Sequence, residues 1–276
     1  MSPNQTSSSD PKRRRGIYLL PNLFTTAALF SGFYAIVASM QGRFESAAIA
    51  IFIAMILDTL DGRVARLTHT ESAFGAEYDS LADMVSFGLA PALVMYEWSL
   101  GSMGEIGKFQ GQLGWLAAFA YAACAALRLA RFNTQIGSTD KRYFQGLPSP
   151  SAAAIVIGLV WVGDSWGIAG EDIVWLTFVI TVFAGSLMVS NVLFYSFKQI
   201  DLRGRVPFVA LLAIVSALVF AALDPPTILF LGFFSYALSG PVISIMHRRQ
   251  RLRRRWNSVV GGDSKPVDTD INQDTQ

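Results

Sequence analysis

The chain has 276 residues, of which 52% are hydrophobic and only 15% charged, with a formal net charge of +2. Length alone permits one or two soluble domains, but several runs approach the roughly 20 apolar residues a bilayer core requires, so composition points to a polytopic membrane protein. A single cysteine, Cys124 in an Ala-rich apolar run, excludes an intramolecular disulfide framework and any two-cysteine metal site.

In chain order, residues 1–15 read as a disordered tail ending in Lys12-Arg13-Arg14-Arg15. The tail leads into Pro21 and Asn22 without a small-residue cleavage site, so no cleavable signal peptide is expected. A membrane domain is expected over 16–247, all-α, with about eight spans near 19–40, 45–66, 78–99, 113–132, 149–164, 172–196, 206–222 and 226–246. The tail 248–276 reads as basic from Arg248 to Arg255, then polar and disordered. With both termini inside, 20 of the 22 Lys and Arg fall on the inner side; only Arg43 and Lys108 fall outside. The basic C-terminal run reads as an anchor to anionic head groups. Without interleaved aromatics it gives no reason to expect nucleic-acid binding.

Four carboxylates break this apolar pattern: Asp58 and Asp61 near the end of the second span, and Asp79 and Asp83 at the start of the third. Ionisable groups in such segments are costly and mark function by default. Asp58 and Asp61 are spaced i, i+3, and Asp79 and Asp83 i, i+4, so each pair shares one face of its helix. Four acids meeting at one point cannot stay unpaired when buried, and Arg63 and Arg66 are too few to neutralise them. Hard divalent cations, Mg²⁺ or Mn²⁺, one or two of them, resolve the charge and would bring a phosphate substrate with them. Gly62 and Ala65 leave the backbone open either to a ligand or to close helix packing. Arg66 has the planar fork for a phosphate, and Gly75 permits the turn into the third span. Asp83, the deeper acid, is the better general base for an attacking hydroxyl. His69 reads as a solvated loop residue.

The whole pattern D-x2-D-G-x2-A-R-x8-G-x3-D-x3-D is present without departure as Asp58, Asp61, Gly62, Ala65, Arg66, Gly75, Asp79 and Asp83. It resembles the signature of the CDP-alcohol phosphatidyltransferases. The resemblance implies that the first three aspartates chiefly bind metal and CDP, while the fourth touches metal and activates the acceptor. Three further stretches, Tyr18 to Tyr34, Arg128 to Pro150 with R-L-A-R-F-N and G-L-P-S-P, and Leu187 to Lys198, are similar to the type II CDP-diacylglycerol–serine branch. That branch implies transfer of the phosphatidyl group of CDP-diacylglycerol to L-serine, giving phosphatidylserine and CMP. It also implies a homodimer; the distribution of Lys and Arg leads to the expectation of a protein in the bacterial inner membrane, surrounded by membrane lipids, with its site facing the cytoplasm.

Serine brings a carboxylate and an ammonium. Arg128 and Arg131 are candidates for the carboxylate, Asn133 and Ser149 for the ammonium; ordinary positive-inside anchoring is an equal reading of the two arginines. Asn22 and Thr25 are candidates for the cytidine or a phosphate, with local helix capping as the alternative. Lys198 either binds lipid phosphate or snorkels, and Asn191 reads as a helix-to-helix hydrogen bond. The rivals are a choline-using or other acceptor within the same family, a membrane prenyltransferase, and a divalent-cation transporter. The prenyltransferase would require aspartate-rich segments on two well-separated helices. The transporter would place acids near the bilayer midplane on several helices, whereas here they sit on one helix pair.

Overall fold

The computed structural model describes residues 19–134 except 69 and 71, then 143–195, and 222–260 together with positions 212, 216 and 219. The expected N-terminal tail, most of the expected seventh span, His69, Lys198 and the chain beyond 260 lie outside the described residues. The fold is mostly helical. It opens with α1 (Leu19–Ser39), which has Pro21 in its opening turn, and a tight turn through Gly42 at φ +71° reverses the chain into α2 (Phe44–Thr68). Alanines let these two helices lie close: Ala28, Ala35 and Ala38 on α1 and Ala47, Ala48, Ala50 and Ala54 on α2 are all buried.

The third expected span is one helical rod of three pieces: α3 (Ala73–Asp83), a π-helical turn over Met84–Leu89, and α4 (Ala90–Trp98). Ser72 caps α3 by accepting a 3.0 Å hydrogen bond from the Gly75 amide. The wide turn begins directly after Asp83. Neighbours hold it from two sides: Ser86 donates to the Ala28 carbonyl at 3.1 Å, and the buried Tyr121 hydroxyl donates to the Phe87 carbonyl at 3.1 Å. A 3-10 turn (Leu100–Ser102) and the short α5 (Met103–Ile106) lead into the long α6 (Lys108–Thr134).

The centre of the molecule is α7 (Ser149–Ser165). It is apolar on every side, and each residue from Ser151 to Gly163 is buried, as an all-round apolar helix should be. It packs on α2, α4, α8 (Val174–Val189) and the last helix, α9 (Pro225–Val260). The all-α expectation misses one feature. Strand β1 (Tyr143–Gln145) pairs antiparallel with β2 (Leu193–Tyr195), Phe144 opposite Phe194. These stretches frame helix starts and ends, where no period-2 run is long enough to announce a strand. β2 also ends the sixth expected span early, since α8 stops at Val189. Gly146, at φ +81°, turns the chain out of β1, and its amide bonds the Val192 carbonyl at 2.9 Å. A side chain there would meet the Met188 carbonyl oxygen, so the position requires glycine. The last helix runs on to Val260, so the expected domain boundary at 247 falls inside it and Arg248 to Arg255 continue a helix.

Among the described residues, two helical segments are both long and apolar enough to cross a membrane, Pro21–Ser39 and Lys108–Thr134. α7 and α8 are strongly apolar but shorter, and α2 carries Asp58, Asp61, Arg63 and Arg66 toward its C-terminal end.

Candidate active site

The acids meet. One carboxylate oxygen each from Asp58, Asp61 and Asp79 lie within 4.8 Å of one another. Asp83, one turn beyond Asp79, brings its carboxyl against that of Asp58. Two helices are therefore enough to assemble the cluster. α2 contributes its i, i+3 pair and α3 its i, i+4 pair, each from the face turned to the other helix.

A third helix fixes the arrangement. Thr25 on α1, 4% exposed, donates from Oγ1 to Asp61 Oδ2 at 2.8 Å, and Asp61 is itself only 5% exposed. One residue on, Thr26 and the Tyr78 hydroxyl share a 2.9 Å hydrogen bond, which ties α1 to α3. Asn22 lies beside Gly75: a Cβ built on that glycine would come 3.5 Å from Asn22 Oδ1 and 3.1 Å from the capping Ser72 Oγ. The opening turns of α1 thus touch both acid-bearing helices. Thr25 faces an aspartate, where a nucleotide contact was expected; Asn22 remains next to Gly75 at the mouth of the cluster.

Gly62 separates the two readings open for it. Within 4 Å of a Cβ placed there, only Arg66 Nη2 is found, at 3.9 Å. Among the described residues no neighbouring helix closes on Gly62, so close packing within them does not explain the glycine. The exposed Arg66 guanidinium lies over it. Ala65 is half-buried, and its carbonyl accepts from the Thr70 amide at 3.0 Å where α2 ends.

The residues considered for the acceptor divide into three groups. Arg128 on α6 stands in electrostatic range of Asp83, and its Nη1 donates to Ser149 Oγ at 3.0 Å. Its Nε is buried with no hydrogen-bond partner. Arg131 turns elsewhere: Nη2 reaches Gln145 Oε1 and Asn191 Oδ1, both at 2.7 Å, and Nη1 the Val189 carbonyl at 3.4 Å. It fastens α6 to the strand pair and to the end of α8; Asn191, expected on a helix, lies in the link between α8 and β2 and accepts its bond from α6. Asn133 donates from Nδ2 to Ser80 Oγ at 3.0 Å, next to Asp79. Sequence reasoning passed over Thr26, Tyr78, Ser80 and Tyr236. The last of these comes from α9 into range of Arg128. No motif or spacing marks Tyr236; the only sign is a phenol in a largely apolar helix.

Comparison with known proteins adds to this geometry. The family profile described as CDP-alcohol phosphatidyltransferase matches residues 18–183, from the start of α1 into α8. A Helicobacter pylori protein named CDP-diacylglycerol–serine O-phosphatidyltransferase is 35% identical over 220 residues, covering 79% of this chain and 88% of its own. A Mycobacterium leprae protein of the same name is 35% identical over 224 residues, covering 78% of this chain and 72% of its own. One from Methanocaldococcus jannaschii is 37% identical over 142 residues, covering 51% and 60%.

Proposed function

The chain belongs to the CDP-alcohol phosphatidyltransferases, and on that premise we propose that it transfers the phosphatidyl group of CDP-diacylglycerol to the hydroxyl of L-serine, giving phosphatidylserine and CMP. The observation that carries the reading is the convergence of Asp58, Asp61 and Asp79, with Asp83 alongside, on an apolar helical scaffold. The names of the relatives supply the acceptor.

The donor set fits a hard divalent cation: three carboxylate oxygens lie within 4.8 Å of one another and, among the described residues, no softer ligand joins the cluster. Asp58, Asp61 and Asp79, with Asp83 at the edge, would hold Mg²⁺ or Mn²⁺, one ion or two. Bound there, the cation would neutralise a diphosphate and make CMP a feasible leaving group. The chain's own residues supply the rest. Asn22, Thr25, Gly62, Ala65, Arg66 and Gly75 line the approach to the acids from α1, α2 and α3, and of these Arg66 has the fork for a diphosphate oxygen. Thr25 acts one step back by orienting Asp61. Asp83 takes the proton from the serine hydroxyl as its oxygen bonds to the lipid-bearing phosphorus and the bond to CMP breaks. Arg128, Asn133 and Ser149 stay as the acceptor-side set, with Arg128 in electrostatic range of the base and bonded to Ser149, while Arg131 serves to hold α6 to the strand pair.

The protein is read as multi-pass, with about eight spans, its acids at the cytoplasmic end of an inner-membrane bundle, and as a homodimer by resemblance to its family. The exposed apolar side chains of α1 and α6, among them Leu23, Phe30, Phe33, Trp115 and Phe119, suit contact with lipid. Purified protein given CDP-diacylglycerol, Mn²⁺ and serine as sole acceptor should yield phosphatidylserine on thin-layer analysis, with CMP release abolished by EDTA. Product from choline and none from serine would overturn the acceptor. Absence of metal-dependent CMP release with any alcohol would overturn the enzyme.

A further inference from the structure

We propose that the Nε–H of Arg128 and the hydroxyl of Tyr236 together form the subsite for the acceptor's carboxylate, which makes the C-terminal helix part of the acceptor site. The proposal rests on the serine reading above. Arg128 spends Nη1 on Ser149, while Nε is buried without a hydrogen-bond partner. A guanidinium N–H taken out of water and left unpaired is costly, and such exceptions in folded proteins call for an explanation. A carboxylate supplies one. Serine holds its carboxylate and its hydroxyl on adjacent carbons, so anchor and base must stand close together, and Arg128 stands in electrostatic range of Asp83. Arg131 does not compete for this role, since it is bonded to Gln145, Asn191 and the Val189 carbonyl.

Tyr236 enters from α9, well past residue 183, where the family match ends. Its ring leans on buried Phe194 of β2 with centroids 5.6 Å apart, and its phenol lies within electrostatic range of the Arg128 guanidinium. Next along α9, Gly240 presses on the same Phe194 ring, which seats the helix against the strand pair. A phenol beside an arginine is a suitable second donor for a carboxylate.

The test compares L-serine with ethanolamine, which keeps the amine and hydroxyl but lacks the carboxylate. Tyr236→Phe preserves the ring on Phe194 and should raise KM for serine several-fold while KM for CDP-diacylglycerol stays unchanged. Arg128→Gln should cut the serine-to-ethanolamine preference by about tenfold to a hundredfold, as expected for loss of a charged hydrogen bond. Arg128→Lys should restore part of it. Thermal stabilisation by CDP-diacylglycerol checks that each variant is folded; should Arg128→Gln fail that check, Tyr236→Phe decides. A preference unchanged in folded variants would overturn the subsite. Wild-type protein that makes no phosphatidylserine would instead overturn the serine reading on which it rests.

Discussion

Asp83 and Asp61 carry the same group, yet their surroundings differ in the way the proposed division of work between them requires. Asp61 is buried and held by Thr25, while Asp83 sits at the edge of the cluster between Asp58 and Arg128. Asp83→Asn should therefore lower turnover by about a hundredfold or more, the usual worth of a general base, and leave binding of Mn²⁺ and CDP-diacylglycerol largely intact. Parallel assays of CMP release and metal titration check this; undiminished turnover would remove Asp83 as the base. Asp61→Asn keeps the shape and removes the charge, so calorimetric Mn²⁺ binding should be lost. Thr25 tests whether orientation matters separately from charge. Thr25→Val deletes a buried hydrogen bond worth about 1 kcal/mol in such helices and should weaken apparent Mn²⁺ affinity about fivefold. Thr25→Ser, which keeps the hydroxyl, should restore it. Equal Mn²⁺ affinity in the Val and Ser variants would reduce Thr25 to packing. The acids and their pairing were legible from spacing, because helical periodicity alone puts i, i+3 and i, i+4 residues on one face. Thr25's partner was not legible, because a threonine near a helix start serves equally as a cap and as a donor to another helix.

At the scale of elements, a π-helical turn follows directly on Asp83, the proposed base, and nothing in the apolar pattern of residues 78–99 distinguishes it from an ordinary span. Such turns often accompany functional sites. Here the turn is braced by Ser86 on Ala28 and by Tyr121 on Phe87. The contact with α1 requires Gly32, where a Cβ would lie 2.6 Å from Ser86 Oγ and 2.7 Å from Ser86 Cα. Gly32→Ala should cost about 1–3 kcal/mol by overpacking, seen as a lower unfolding midpoint in detergent. Turnover should fall with it, since the shift separates the helix of Thr25 from the turn behind Asp83. Gly62→Ala predicts the opposite signature. Among the described residues its new methyl meets the Arg66 guanidinium alone, at ordinary contact distance, so the unfolding midpoint should hold while KM for CDP-diacylglycerol rises. A Gly62→Ala protein that is destabilised with an unchanged KM would return the residue to a packing role. The strand pair was hidden for a related reason. Its three-residue strands are too short to carry a period, and only Gly146, with its positive φ, hints at a turn before α7.

For the whole molecule, helix positions were the most legible feature, because long apolar runs leave few alternatives, and α7 shows where that reading thins. Its 17 residues make it look like the weakest span, yet it is the buried centre around which α2, α4, α8 and α9 pack. Apolar composition reports burial, and burial in protein and burial in lipid look alike along a sequence. Which end of the bundle carries the acids follows from the structure without any membrane. Gln41 sits at the turn where α2 begins, and Asp58 to Arg66 lie at the far end of that helix. Thr134 closes α6 one residue after Asn133, which bonds Ser80 beside the acids. Gln41 and Thr134 therefore mark opposite ends of the bundle, with the site at the Thr134 end. The distribution of Lys and Arg supports the proposal that this end faces the cytoplasm. In a Cys124→Ser background, Gln41→Cys should react with a membrane-impermeant maleimide in intact spheroplasts, and Thr134→Cys only after permeabilisation. Both variants should retain CMP release, since neither position touches the cluster. The reverse labelling would turn the bundle over and place the acids on the side away from cytosolic serine, and equal labelling of both before permeabilisation would contradict a spanning bundle altogether.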